Sequence, residues 1–249
     1  MPEQLAVEQL AIADWVRGLS ALPERDFTLE AVQDYILHHA VRPETLEKYL
    51  FFSKGNYTRN LIFKNAVFEC MTICWEVGQH SRIHNHRDQN CWMSAPIGRL
   101  KVQNFRVEQK DAACGTCKIV ATEIYEMDGA HPAYVNPLEP VHQVLNLPEF
   151  NQRAVSIHIY SKPFDTCEVY TREKGTYGDV PLHYTSEYGK LHPGFACDDV
   201  ERSALFGSGF GPEKRAIGKI ESSQAARRGD FGPGGVGRNR TPVQAAGDH

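Results

Sequence analysis

The stretch that decides the fold runs from Gly78 to Gly98 and reads GQHSRIHNHRDQNCWMSAPIG. Within it, one residue separates His84 from His86, and a glycine stands at each end. Side chains two positions apart on a β-strand point to the same face, so both imidazoles would project towards one point. Neutral imidazole is a common ligand of iron, copper, nickel and zinc, so this pair indicates a metal site.

The composition is ordinary for a globular protein and argues against two classes of partner. The chain has 249 residues, of which 41% are hydrophobic and 23% charged, and its formal net charge is −4. This charge gives no basic footprint for nucleic acid or anionic lipid, and no apolar run is long enough to span a bilayer. We therefore expect no nucleic-acid partner and no membrane partner.

The N-terminus and the cysteines point to the cytoplasm. The first residues, MPEQL, lack the basic and apolar regions of a secretory signal. Seven cysteines are an odd number, and their spacing is not that of a disulfide framework, so we expect mostly free thiols in a reducing compartment. The sequence thus predicts a cytoplasmic protein, which we expect to be a monomer.

The composition and residue pattern of the sequence change twice, near residues 51 and 191. Helical spacing of apolar residues predicts helices over 4–21, 28–40 and 43–50, the second capped by Thr28. Short β-branched and aromatic runs between turn residues then predict strands over 61–63, 67–75, 82–86, 89–95, 99–107, 118–127, 134–135, 141–145, 154–160 and 167–170. Many strands without intervening helices indicate an all-β barrel or sandwich.

These two changes of composition and pattern divide the chain into three parts. We predict N-terminal helices packed on the barrel (1–50), a β-barrel that carries the metal site (51–190), and an irregular tail (191–249). The tail is rich in Gly, Ser, Pro and Arg and has few large apolar residues, so it can bury little surface and is expected to be partly disordered.

The glycine-to-glycine spacing around the two histidines resembles the first motif of the cupin family, G-x5-H-x-H-x(3,4)-E-x6-G. The family holds a metal inside a small β-barrel of the jelly-roll type, with two His and a Glu among the ligands. The resemblance implies a mainly β, cupin-type fold, with Cys91 where the Glu would stand. His142, in the run HQVLN, matches the end of the second cupin motif and is the candidate third ligand; His131 competes with it but matches no motif.

As an ordered set, five segments resemble cysteine dioxygenase, a family that uses one Fe(II) and O2 to convert L-cysteine to cysteine sulfinic acid. They are YTRNL at 57–61, the His84-x-His86-x4-Cys91 run, His142, Ser156-x-His158-x-Tyr160, and PFDTC at 163–167. The resemblance implies one mononuclear Fe(II), O2 as co-substrate and a small thiol as substrate. It assigns metal binding to His84, His86 and His142, the substrate carboxylate to Arg59 helped by Tyr57, and an outer relay to Ser156, His158 and Tyr160.

Cys91 and Tyr160 occupy the positions at which animal members of that family carry a thioether cross-link. Many bacterial relatives have Gly in place of the Cys, so the Cys91 of this chain makes the cross-link available. An unmodified thiol beside the iron is the alternative. The sequence alone leaves both open.

Other functions remain open at this point. A dioxygenase for another small thiol, such as 3-mercaptopropionate, would commonly have Gln in place of Arg59 and no Cys91. A non-catalytic metal-binding cupin would bind metal without thiol-dependent O2 uptake, and a zinc isomerase would normally keep the Glu. The motif Cys114-Gly115-Thr116-Cys117 is consistent with a redox pair or half a zinc site, but we expect a plain hairpin turn.

Overall fold

Strands are the predominant regular structure of the described chain. The computed structural model describes residues 7–135, 140–195 and 201–202, which all belong to one compact unit, Met1–Gly209. The strands are β1 Glu8–Leu10, β2 His39–Val41, β3 Phe51–Phe52, β4 Thr58–Lys64, β5 Phe68–Trp75, β6 Ile83–His84, β7 Cys91–Ile97, β8 Leu100–Asp111, β9 Thr116–Met127, β10 Ala133–Tyr134, β11 Val141–Leu145, β12 Ala154–Ser161, β13 Thr166–Thr171, β14 Thr176–Pro181, β15 Ser186–Glu187, β16 Lys190–Leu191 and β17 Glu201–Arg202.

The two α-helices precede the barrel and the seven-stranded sheet, as the sequence predicts, but they are shorter than predicted. They are α1 Ile12–Ser20 and α2 Leu29–His38, with 3-10 helices at Glu24–Asp26, Pro43–Tyr49 and Pro148–Phe150. Thr28 caps α2, because its hydroxyl oxygen accepts a hydrogen bond from the Ala31 N–H at 3.2 Å. The helix predicted from residue 4 begins only at Ile12, because β1 pairs in parallel with β2 instead. No helix in the described ranges has the length and apolar character needed to cross a membrane.

Two β-sheets enclose the interior of the predicted barrel. Six strands close into a barrel in the order β11-β6-β13-β14-β9-β8, and seven form a sheet in the order β10-β7-β12-β5-β4-β15-β16. The mainly β fold with N-terminal helices is therefore confirmed. Of the predicted tail, residues 191–195 and 201–202 are described, and β17 pairs antiparallel with β3; the rest lies outside the described residues.

The two faces of the seven-stranded sheet belong to different cores. On one face, alternate residues such as Cys70, Cys74 and Ile157 pack with Trp15 and Leu19 of α1. The opposite face carries the side chains of Met71, Ile73, Trp75, Cys91 and Tyr160, which form a second core with the barrel. Because both faces are covered, every residue of β5 is buried. The second face therefore brings the polar side chains of β12 into the interior.

Lys162 follows β12 in a left-handed conformation that favours glycine. Its φ is 66°, and its backbone N–H donates to the Val67 carbonyl oxygen at 2.7 Å. Lys162→Pro would require a different φ and lose this donor, so we expect it to lower the free energy of unfolding by more than about 1 kcal/mol. Lys162→Gly should raise it by up to about 1 kcal/mol by relieving the strain. Urea denaturation checks this, and equal midpoints for the two variants would contradict it.

Candidate active site

Three candidate metal ligands converge inside the barrel. His142 on β11 lies directly opposite His84 on β6, and His86 follows His84 by two residues. Potential ligand atoms of the three imidazoles all lie within 4.8 Å of one another. In the described part of the chain this is the one such group of three or more His, Cys, Asp or Glu side chains. His131 is not in it; its exposed ring pairs with Asp128 at 2.9 Å.

The protonation of the three imidazoles suits a metal. Burial, opposed by a hydrogen bond to the Arg82 carbonyl oxygen, lowers the pKa of His84 to about 4. Burial, reinforced by neighbouring histidines, lowers the pKa values of His86 and His142 well below the ordinary value. All three rings are therefore neutral near pH 7. Because the His84 Nδ1–H donates to the Arg82 carbonyl oxygen at 2.8 Å, its Nε2 keeps a lone pair.

The nitrogens of the two most buried rings lack partners. Both ring nitrogens of His86 and both of His142 have no hydrogen-bond partner among the described residues, although they are buried. A buried polar atom without a partner costs about 1–3 kcal/mol, so such atoms call for an explanation. A metal ion bound by one nitrogen of each ring would supply it. The three residues therefore fit a mononuclear metal site.

A row of hydrogen-bonded side chains lies on β12 beside the histidines. The Trp75 Nε1–H donates to Ser156 Oγ at 2.9 Å, and Ser156 Oγ lies 2.9 Å from His158 Nε2. His158 Nδ1 lies 3.1 Å from the Tyr160 hydroxyl. Burial, reinforced by Cys91, raises the pKa of Tyr160 well above its ordinary value, so the phenol keeps its proton. The predicted relay residues are thus connected, and Trp75 extends the row by one member.

Cys91 is the direct neighbour of Tyr160. The two residues face each other across the antiparallel pair β7 and β12. Directly opposite residues have Cβ atoms about 4.5–5.5 Å apart, so the thiol and the phenol ring can meet. The phenol ring also packs edge-on against Phe164, with centroids 5.0 Å apart, and its centroid lies 5.4 Å from that of the His86 ring. Tyr160 thus connects the histidine group, the relay and the thiol.

Arg59 lies on β4 in the same interior. The residue is 9% exposed, and its Nε has no hydrogen-bond partner in the described ranges. Its positive charge contributes to the lowered pKa values of His84 and His158, although burial is the larger cause for both. Tyr57, two residues earlier, stacks on Trp75 with ring centroids 4.7 Å apart. Arg59 is therefore a cation near the histidine group with a donor still available.

The surroundings of Arg59 include residues that the sequence analysis missed. The Arg59 guanidinium carbon lies 5.7 Å from the centroid of the Tyr184 ring, and the Tyr184 hydroxyl donates to the buried carboxylate of Glu69. Lys64 Nζ lies 3.8 Å from Glu69 Oε2. Glu69 also faces Tyr160 across β5 and β12. Glu69 could have been found from the sequence, because it is a charged residue inside the apolar run FECMTICW.

Protonation of His158 should be visible in the pH dependence of stability. Burial, reinforced by the charges of His84 and Arg59, lowers the pKa of His158 from 6.5 to about 3. Below pH 6.5 this histidine is therefore protonated in the unfolded chain but not in the folded protein. The free energy of unfolding consequently falls as the pH falls towards 3. We expect His158→Gln to reduce this slope by about 1.4 kcal/mol per pH unit in the metal-free protein.

Urea titrations of the metal-free parent and the His158→Gln variant between about pH 6 and pH 4 measure the two slopes. The slope is the readout, because the substitution also removes the partners of Ser156 and Tyr160 at every pH. Equal slopes of the free energy of unfolding against pH for the two proteins would mean that His158 is protonated in the folded state or titrates normally.

Comparison with known proteins agrees with this geometry. The family described as "Cysteine dioxygenase type I" matches residues 2–173, which include all nine candidate site residues. Cysteine dioxygenase type 1 of Rattus norvegicus is 31% identical over 194 residues, covering 77% of this chain and 94% of the relative. The human protein of the same name is 28% identical over 205 residues, covering 82% of this chain and all of the relative.

A solved structure from Klebsiella pneumoniae, described as an uncharacterized conserved protein with a double-stranded β-helix domain, aligns with a TM-score of 0.36 and 12% identity. It covers 55% of this chain and 87% of its own. The family match and the rat relative each extend over more than two thirds of the chain. On that evidence, the chain belongs to the cysteine dioxygenase type I family.

Proposed function

We propose that this protein is an Fe(II)-dependent dioxygenase that oxidises L-cysteine with O2 to cysteine sulfinic acid. The observation that carries the proposal is the group of three buried, neutral imidazoles with unpartnered nitrogens, close to the cation of Arg59. Membership of the cysteine dioxygenase family supports the same reaction.

His84, His86 and His142 would hold the iron. Three neutral ligands leave the charge of Fe(II) uncompensated, which favours an anionic incoming ligand such as a thiolate. When bound, the iron supplies the redox chemistry and a common binding position for thiol and O2, which removes the cost of bringing them together. No carboxylate joins the three rings in the described part of the chain.

Arg59 and Tyr57 would bind the substrate carboxylate. A guanidinium can donate two parallel hydrogen bonds to a carboxylate, and Arg59 Nε has no partner within the described structure. Burial, opposed by the charge of Arg59, raises the pKa of Tyr57, so this phenol can donate a further hydrogen bond. The stack of Tyr57 on Trp75 limits the motion of its ring. Together these contacts would orient the substrate.

The relay on β12 would fix the direction of one proton donor. Indole can only donate, so Trp75 occupies a lone pair of Ser156 Oγ. We assign the Ser156 hydrogen to His158 Nε2 and the His158 Nδ1–H to the Tyr160 oxygen. The phenolic hydrogen of Tyr160 is then free to donate to an oxygen atom of the reacting complex. Tyr160 would thus act as the proton donor at the site.

Cys91 and Tyr160 would form the thioether of the family. The new bond joins Cys91 Sγ to a ring carbon of Tyr160 in place of one S–H and one C–H bond, and the two protons and two electrons lost reduce one O2 to hydrogen peroxide. We expect protein that has turned over cysteine to contain a fraction lighter by two hydrogens in its intact mass, and Cys91→Ser to contain none. A single unshifted mass for the parent after many turnovers would contradict the cross-link.

We also propose a small-thiol substrate, a cytoplasmic location and a monomeric state. A small thiol is the expected partner, and the six described cysteines are all unpaired, which supports a reducing cytoplasm. The monomer expected from the sequence remains a prediction, which light scattering after size-exclusion chromatography tests.

O2 uptake by the Fe(II)-loaded protein tests the proposed reaction. L-Cysteine and 3-mercaptopropionate are compared at equal concentrations, with mass detection of the sulfinic product. Faster uptake with cysteine, accompanied by cysteine sulfinic acid, is the expected result. Faster uptake with 3-mercaptopropionate would overturn the substrate and retain the reaction class. Stoichiometric iron without uptake from either thiol would leave a metal-binding protein.

A further inference from the structure

The strand that carries His84 ends where the site still needs His86. β6 is only two residues long and lies between β11 and β13, where His84 pairs with His142 on one side and with Val169 on the other. The next residue, Asn85, is outside the strand. Contacts other than the regular strand ladder must therefore set the direction in which the chain turns His86 back into the site.

Asn85 makes these contacts almost entirely with Glu168 on β13. The Asn85 backbone N–H donates to the Glu168 carbonyl oxygen at 3.1 Å, and its Nδ2 donates to Glu168 Oε2 at 2.7 Å. Its Oδ1 accepts from the Glu168 backbone N–H at 3.3 Å and from the Arg87 N–H at 3.4 Å. The residue between two candidate ligands is thus held by three hydrogen bonds to one neighbour.

The Glu168 carboxylate is itself fixed from the barrel wall. Lys110 Nζ on β8 donates to both carboxylate oxygens at 2.8 Å, and the Tyr170 hydroxyl donates to Oε2 at 2.9 Å. Lys110 Nζ also lies 4.5 Å from the centroid of the Tyr177 ring. The side chain of Glu168 is only 12% exposed. Two donors on strands, Lys110 and Tyr170, together with Asn85 therefore leave the carboxylate little freedom.

The turn that follows His86 is strained. Arg87 and Asp88 have φ values of 51° and 61°, a backbone conformation that residues other than glycine rarely adopt. Such strain costs of order 1–3 kcal/mol for each residue and persists only where surrounding contacts impose it. The Arg87 guanidinium pairs with Asp179 on β14. The strained turn must also be held on the N-terminal side of His86, and the hydrogen bonds between Asn85 and Glu168 hold it there.

We propose that Asn85 and Glu168 act as a clamp that positions His84 and His86, and so determines how tightly the site binds its metal. Neither Asn85 nor Glu168 belongs to the group of candidate ligands, so both are positioning residues. The inference rests on the metal site of the proposed function and adds the residues that hold it. Partners that orient ligands in this way typically contribute about 10- to 100-fold in metal affinity.

Anaerobic binding of Fe(II) alone, measured by competition with a chelator, tests the clamp. The variants are Asn85→Ala, Glu168→Ala and their combination, with Glu168→Gln as a conservative change and Asn85→Asp as a disruptive one. Glu108→Ala is the matched control, because Glu108 forms a 2.7 Å ion pair with Lys118 on the same barrel. Thermal unfolding of each metal-free protein is measured in parallel.

We expect Asn85→Ala and Glu168→Ala each to weaken Fe(II) binding by about 10- to 100-fold, and the double variant to be no weaker than the worse single variant. Glu168→Gln should retain much of the affinity, because its amide oxygen can still accept from Asn85. Asn85→Asp should bind most weakly, because one carboxylate then faces another. Glu108→Ala should bind like the parent.

The clamp would be overturned if all the Asn85 and Glu168 variants bound Fe(II) within twofold of the parent while their metal-free forms had lower melting temperatures. The pair would then serve stability alone. If Glu168→Ala does not fold, Glu168→Gln and Asn85→Asp still decide, since equal affinity in these two variants contradicts the proposal. Because the readout is binding of the metal alone, a protein that binds Fe(II) but does not oxidise cysteine contradicts only the proposed function.

Discussion

His86→Ala should yield a protein that binds no iron at the site and takes up no O2 with cysteine. His86 is 1% exposed, and both of its ring nitrogens lack a partner among the described residues. Removing one of three ligands should weaken metal binding by more than about 100-fold, beyond the usual effect of residues that only orient ligands. Metal content after dialysis and O2 uptake measure the two losses, and His131→Ala, outside the group, is the control.

A second substitution at the same position separates function from stability. His86→Leu should also abolish metal binding, but the metal-free variant should be at least as stable as the metal-free parent. Unsatisfied buried polar atoms cost about 1–3 kcal/mol, and leucine has none. Urea denaturation of both metal-free proteins measures the difference. Normal iron content in either variant would remove His86 from the ligand set.

Arg59→Ala should raise KM for cysteine and lower kcat/KM by about 10²- to 10³-fold, since truncating one partner of a buried, hydrogen-bonded charge pair costs about 2–5 kcal/mol. Arg59 is 9% exposed, so water would replace it poorly at the carboxylate. Steady-state kinetics with cysteine measures the effect. Arg59→Lys should fall between the parent and Arg59→Ala, because an ammonium keeps the charge but loses the bidentate geometry.

A thiol without a carboxylate provides the control for Arg59. With 2-aminoethanethiol, any O2 uptake should be equal in the parent and in Arg59→Ala, because this thiol offers nothing for the guanidinium to bind. Equal losses with both thiols would mean that Arg59 supports the structure of the site. An unchanged KM for cysteine would refute its role in binding the carboxylate.

Local patterns predicted those parts of the site that lie within one strand. The period of two placed Ser156 with His158 and Tyr160, and the structure groups them on β12. It also placed His84 with His86, and the structure groups these two, but the predicted strand 82–86 ends at His84, so a turn and not the strand brings His86 to the site. Most of the longer strands followed from β-branched and aromatic runs between turn residues, but β14 of the barrel was not predicted. A side-chain period is a property of a single strand, so a sequence can state it without knowing the neighbouring strands.

Contacts that depend on strand order could not be predicted in this way. His142 joins His84 because β11 pairs with β6, and the Trp75 to Ser156 hydrogen bond spans 81 positions. Only the family motif favoured His142 over His131. The strand Glu8–Leu10 was predicted as helix, since its partner β2 lies beyond α2 and local spacing does not report it. Register across strands, set by the whole core, decides these features.

The most direct test of the central claim uses O2 labelled with the heavy oxygen isotope in normal water. If thiol and O2 react at one iron held by His84, His86 and His142, both oxygen atoms of the sulfinic acid should carry the label when cysteine is supplied to the Fe(II)-loaded protein. Mass spectrometry of the product counts them. A sulfinic acid with one labelled oxygen or none, or cystine as the only product, would contradict the account.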